Sequence, residues 1–163
     1  MVITIVRHGE AGSAVRDKDR QLTASGTDDV SLGSHQLHDL CFDKSLPMPD
    51  LILHSAWRRT TQSADILAAA FTVSADTLDA LLPGQTIPDV DRALNALPSG
   101  TSHCVLVGHQ PSVSQLVDHY LNDNGRVPAL SPGGLVSIRL DYFAKGCGEL
   151  LFWAMPPHYR GYV

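Results

Sequence analysis

Val2-Ile3-Thr4-Ile5-Val6 is an unbroken run of β-branched residues. Branching at Cβ stiffens these side chains and suits them to an extended, pleated surface. The run shows no polar alternation, so it predicts a strand buried on both faces, as in parallel sheets covered by helices. A chain that opens this way must also supply helices for both sides of its sheet.

Those helices are visible as apolar stripes. Thr23 can cap a helix in which Val30, Gly33, Leu37 and Leu40 recur on one side. Ala64, Leu67, Ala68 and Phe71 follow helical spacing, as do Val90, Ala93, Leu94 and Leu97, and then Val113, Leu116, Val117 and Tyr120. Between the stripes, Leu51 to Leu53 after the break at Pro47 and Pro49, and Cys104 to Val107, read as interior strands. Val136 to Leu140 and Leu150 to Trp153 read as late strands joined by a turn around Gly146 and Gly148. Strands alternating with amphipathic helices predict an α/β three-layer sandwich, with a mostly parallel central sheet and helices on both faces. At 163 residues, the stretch 1–163 is the usual size of one domain. The polar stretch Gly12 to Arg20 is the expected mobile loop, and Asn122 to Gly125 an expected surface turn.

Composition narrows the functional classes. The chain is 44% hydrophobic and 18% charged, ordinary for a soluble globular protein. No apolar run approaches the roughly 20 residues that span a bilayer. The apolar opening is too short for a signal peptide, so a cytoplasmic protein without membrane contact is expected. The three cysteines, Cys41, Cys104 and Cys147, are widely spaced and form neither a metal-ligand pair nor a disulfide framework. A net charge of −5 argues against nucleic-acid binding, which draws on clustered Lys and Arg. A small anionic substrate remains open, because the local field at a site decides that case.

Three motifs directly follow predicted strands: Arg7-His8-Gly9-Glu10, Ser55-Ala56-Trp57-Arg58-Arg59 and Gly108-His109-Gln110-Pro111. In open α/β sheets, ligands bind in the crevice outside the carboxyl ends of the strands. Two histidines and two or three arginines are therefore expected in one pocket. A neutral imidazole nitrogen can attack and carry a phosphoryl group. Arginine forks match phosphate oxygens and offset their charge. Phosphoryl transfer asks mainly for in-line positioning and electrostatic stabilisation. Gly9 and Gly108 are expected to leave room for backbone and ligand, and the helix near Pro111 to add amides to an anion site.

These segments, with Ser55-x-x-x-Arg59-x-x-Gln62, resemble the histidine phosphatase superfamily, whose fold is phosphoglycerate mutase-like. Asp17-x-x-Arg20-x-Leu22-Thr23-x-x-Gly26 and Trp153-x-Met155-x-Pro157 are similar to its smallest branch, the SixA-type phosphohistidine phosphatases. The resemblance implies that His8 is the phosphorylated nucleophile, that Arg7 and Arg59 bind the phosphate, and that His109 stabilises the transferring group. Gly9 and Glu10 are implied at the substrate site. No metal and no organic cofactor is implied. Family members with longer insertions carry a glutamate that protonates the leaving alcohol; Asp79 to Gly84 offers none here, although Asp79 itself is an acid. A leaving imidazole needs less acid help. The expected substrate is therefore a phosphorylated protein, such as a histidine-containing phosphotransfer domain. A small phosphomonoester is the alternative, and a non-catalytic phosphate-binding module a third reading from another class. The family's alanine after the arginine is Thr60 here, an exchange expected to be neutral.

Several residues keep two readings. Glu10 is either a pocket carboxylate or a loop residue orienting Arg7. Asp17 and Arg20 either order the loop over the pocket or pair on the surface. Arg58 is either solvated or reaches the substrate, and His54 either borders the pocket or packs. His35, His38, His103, His119 and His158 read as structural. The sequence leaves the oligomeric state open, a monomer being compatible with it.

Overall fold

The β-branched run becomes β1 (Val2–Arg7), and it lies inside a six-stranded sheet. The computed structural model describes residues 1–163. After β1 come α1 (Ala24–Asp43), β2 (Leu51–His54), α2 (Arg58–Phe71), β3 (Ala75–Thr77) and α3 (Ile87–Asn95). They are followed by β4 (His103–Gly108), α4 (Ser112–Leu121), β5 (Leu135–Leu140) and β6 (Gly148–Ala154). Strand order is β3-β2-β4-β1-β5-β6. The first four strands in that order run parallel, whereas β5 pairs antiparallel with β1 and with β6. The sheet is thus mixed, with a parallel half that carries the three motifs.

Strand pleating divides the core in two. Ile3, Ile5, Cys104 and Leu106 face α3 and α4, where they meet Val90, Leu94, Val113 and Leu116. Val6, Val105 and Val107 face α1 and α2, against Val30, Leu37, Ala64 and Leu67. Helices therefore cover both faces, as the unalternated strands require. Val113, Leu116, Val117 and Tyr120 on α4 are all buried, each contributing roughly 1.5–3 kcal/mol by leaving water.

Thr23 caps α1 by accepting from the Gly26 amide at 3.0 Å. Gly148 lies within β6 and not in the preceding turn, since its Cα pairs with Leu140. The β1–α1 segment departs from the expected free loop. It contains a helical turn at Asp17–Asp19, a bridge between Ala11 and Leu22, and bonds from the Arg20 guanidinium to the Gly12 and Ala11 carbonyls. Leu22 N–H also donates to Gln62 Oε1 on α2 at 2.8 Å. The loop is tied down chiefly by backbone groups, which side-chain patterning does not reveal. No helix is long and apolar enough to cross a membrane.

Candidate active site

Parallel pairing of β1, β2 and β4 places their carboxyl ends on one edge of the sheet. The parallel registers Arg7↔Gly108 and His54↔Val107 bring the three motifs level. His8 and His109 meet there edge to face, with ring centroids 5.3 Å apart. Trp57 also packs against His109, with ring centroids 5.1 Å apart, and the Arg59 guanidinium lies over Trp57 at 4.7 Å. His8, Arg59 and His109 are all buried.

Hydrogen bonding fixes the state of His8. Its Nδ1 lies 2.7 Å from the Gly9 carbonyl oxygen, which only accepts, so Nδ1 carries the proton. Nε2 then presents its lone pair, which accepts from Arg59 Nε at 3.0 Å. Burial, followed by the charges of Arg59, Arg7 and Arg20, lowers the His8 pKa from 6.5 to about 4, partly opposed by the Gly9 bond. The ring is neutral at ordinary pH.

His109 is likewise lowered to about 3 by burial, then by its neighbours His8 and Arg59. Its Nε2 lies 2.9 Å from Ser55 Oγ. Ser55 Oγ accepts from the Trp57 amide, and the only acceptor within reach of its hydroxyl hydrogen is His109 Nε2. That leaves the His109 proton on Nδ1, a buried atom without a partner in the protein. Arg7 Nε is a second buried donor without a partner, while Arg7 Nη1 donates to the Leu130 carbonyl. Two orphaned donors on residues around His8 suit an oxyanion.

Around this cluster the other motif residues take distinct places. The Asp17 carbonyl accepts from Arg59 Nη1 at 2.8 Å, and its carboxylate lies 3.4 Å from Arg59 Nη2 and 3.2 Å from Arg20 Nη1. Asp17 thus both pairs at the surface with Arg20 and ties the loop to the site. Glu10 is exposed and accepts from Thr23 Oγ1; no contact joins it to Arg7. Asp79 is exposed on the turn Asp79–Leu81. His54 is buried with Nδ1 on the Ser55 carbonyl, and Arg58 is exposed.

Gly9 and Gly108 make room for the neighbouring helices. A Cβ on Gly9 would stand 2.6 Å from the Gly26 carbonyl oxygen, and one on Gly108 3.0 Å from Val113 Cγ1. The Gly9 amide is taken by Ser63 Oγ at 3.1 Å. The Thr60 hydroxyl is buried and bonds the Ser55 and Trp57 carbonyls at the start of α2. Sequence reasoning assigned no task to Ser55 beyond its place in the motif.

No known family profile matches the chain, and no curated protein matches it in sequence. Solved structures do. The protein histidine phosphatase SixA complexed with tungstate superposes with a TM-score of 0.77 at 24% identity, covering 96% of this chain and 97% of that one. A SixA-type protein from Nakamurella multipartitia gives 0.74 at 23% identity over 96% and 97% of the two chains. Mycobacterial glucosyl-3-phosphoglycerate phosphatase gives 0.64 at 15% identity over 91% and 96%. The chain therefore shares the fold of the protein histidine phosphatase SixA and of glucosyl-3-phosphoglycerate phosphatase.

Proposed function

We propose that this protein is a phosphatase that carries the phosphoryl group on His8 Nε2 and takes it from a phosphohistidine of another protein. The observation that carries the reading is the tautomer of His8: Nδ1–H is committed to the Gly9 carbonyl, so Nε2 holds the lone pair, which attacks once the Arg59 Nε–H turns from it to a phosphoryl oxygen. Attack on phosphorus forms the Nε2–P bond as the bond to the leaving imidazole breaks, and that imidazole takes up a proton from solvent water. Water then attacks phosphorus, the Nε2–P bond breaks, and inorganic phosphate leaves with His8 neutral again. The Arg59 fork, Arg7 and the His109 Nδ1–H supply positive charge and donors to the phosphoryl oxygens throughout.

Absence of a carboxylic acid beside His8 supports the phosphohistidine substrate. Glu10 and Asp79 are exposed, and Asp17, the one carboxylate bonded into the cluster, has its pKa lowered, chiefly by its bond to Arg20. An alcohol leaving group would need a proton donor; an imidazole needs less help.

One observation favours the alternative of a small phosphomonoester. A cavity of about 230 Å³ adjoins His109, walled by Leu81, Ile87, Val90 and Val113 among others. It could seat the apolar part of a small substrate. Release of phosphate from a phosphohistidine-containing protein, beside an aryl phosphate and a panel of sugar phosphates, separates the readings. Preferential turnover of the protein, abolished by His8→Ala, is the expected result. Turnover confined to small esters overturns the protein substrate and keeps His8, while full activity of His8→Ala overturns the mechanism.

A further inference from the structure

The cations of this acidic chain are unevenly placed. Six of the twelve Lys and Arg residues lie in the two stretches Arg7 to Arg20 and Ser55 to Arg59, namely Arg7, Arg16, Lys18, Arg20, Arg58 and Arg59. Only three carboxylates, Glu10, Asp17 and Asp19, share those segments, whereas the rest of the chain sets six cations against fourteen carboxylates. A positive site edge thus sits on a negative molecule.

Most of these cations are already engaged. Arg7 bonds the Leu130 carbonyl, Arg20 the Gly12 and Ala11 carbonyls, and Arg59 bonds His8 and Asp17. Arg16 pairs with Asp19 at 2.5 Å. Lys18 and Arg58 are exposed and form no ion pair or side-chain hydrogen bond. Both line one open surface groove of about 530 Å³, together with Asp19, Trp57 and Gln62. Trp57 is also the wall of the phosphoryl site, touching His109 and lying under Arg59. The groove therefore leads away from the reacting atoms across Trp57 and meets two free cations. Its one carboxylate, Asp19, is offset by Arg16.

We propose that this groove docks an acidic stretch of the phosphorylated protein, with Lys18 and Arg58 receiving carboxylates that flank the phosphohistidine; this rests on the phosphohistidine reading above. Charge complementarity of this kind steers encounter and sets partner choice, and it is screened by salt. A small ester held at His8 carries no flanking carboxylates for Lys18 and Arg58 to receive, so its turnover is indifferent to them.

Two synthetic phosphohistidine peptides of equal length test this, one with glutamates on both sides of the phosphohistidine and one with alanines. The acidic peptide should have a kcat/KM about tenfold higher at low salt, and the difference should fade as salt shortens the Debye length. The double variant Lys18→Ala, Arg58→Ala should lose the preference while hydrolysing p-nitrophenyl phosphate at the unaltered rate. Equal rates for the two peptides, or a preference that survives in the double variant, overturns the groove and leaves the phosphohistidine reading standing. Failure to hydrolyse either peptide, with p-nitrophenyl phosphate still turned over, overturns that reading and this proposal with it.

Discussion

Arg59 donates from Nε to the Nε2 lone pair of His8 at 3.0 Å, while Asp17 holds both of its terminal nitrogens. The guanidinium is thus oriented by the loop on one side and marks the nucleophilic atom on the other. A lysine has a single ammonium and cannot hold this three-point geometry. Arg59→Lys is expected to lower kcat/KM by about 10²–10³-fold, the usual cost of losing an aligned donor in the transition state. Steady-state kinetics with an aryl phosphate, beside a melting curve showing the variant folded, checks this; near-native kinetics would mean that charge alone suffices.

Ser55 acts on His109 without being part of the phosphoryl cage. Its hydroxyl hydrogen has His109 Nε2 as its one acceptor, which holds the ring proton on Nδ1. In Ser55→Ala the two tautomers become closer in energy, so the useful donor is present only part of the time. A fall of about twofold in kcat is expected, the share lost when two tautomers become equally populated. The distinguishing readout is the nitrogen chemical shifts of His109, which should show Nδ1–H in the native protein and a mixture in the variant. An unchanged tautomer with unchanged kcat would reduce Ser55 to a packing residue.

The places where sequence reasoning reached the site are those where a β-branched or apolar run ends at a charged motif. Val6 to Arg7, Leu53 to Ser55 and Val107 to His109 are such junctions, and the parallel run of β1, β2 and β4 brings all three to one edge. What escaped it has two sources. Some bonds join residues remote in sequence, such as Thr4 with His103 and Ser137, or Gln62 with Leu22, and no local pattern signals them. Others use backbone acceptors, as with Arg20 on Gly12 and Arg59 on Asp17, where residue type carries little information. Strand β3 was missed because Ala75-Asp76-Thr77 is three residues long and largely exposed, without an apolar signature.

Acidification should loosen the fold well above the carboxylate range. His103 is buried, with Nδ1 donating to the Pro47 carbonyl and Nε2 accepting from Thr4 Oγ1, and burial above all lowers its pKa from 6.5 to about 4. Below pH 6.5 the unfolded chain takes up a proton that the folded ring refuses. The stability is therefore complete above about pH 6.5 and is lost progressively as pH falls to about 4, amounting to about 3 kcal/mol for this one residue. His8 and His109 act in the same direction. Urea unfolding between pH 7 and pH 4 should show the decline, and proton NMR should find the His8 ring titrating near 4 in place of 6.5. A flat stability profile over that range would contradict the buried neutral rings.

Gly26 is the tightest point between α1 and the turn that carries His8. A Cβ there would stand 2.2 Å from the Glu10 carbonyl oxygen and 2.7 Å from the Glu10 amide nitrogen, both backbone atoms that cannot swing aside. Gly26→Ala must therefore push the start of α1 away from Gly9 and Glu10, and Gly9 supplies the carbonyl that sets the His8 tautomer. Overpacking of this kind costs about 1–3 kcal/mol, which in a domain of this size lowers Tm by roughly 3–10 °C. Gly100→Ala is the matched control, since its Cβ would meet nothing within 4 Å. The expected outcome is a lower Tm together with a lower kcat for Gly26→Ala, and neither for Gly100→Ala. If Gly26→Ala lost stability but kept its kcat, the seating of α1 would matter to the fold alone, and the orientation of His8 would have to come from Gly9 and Arg59 without that support.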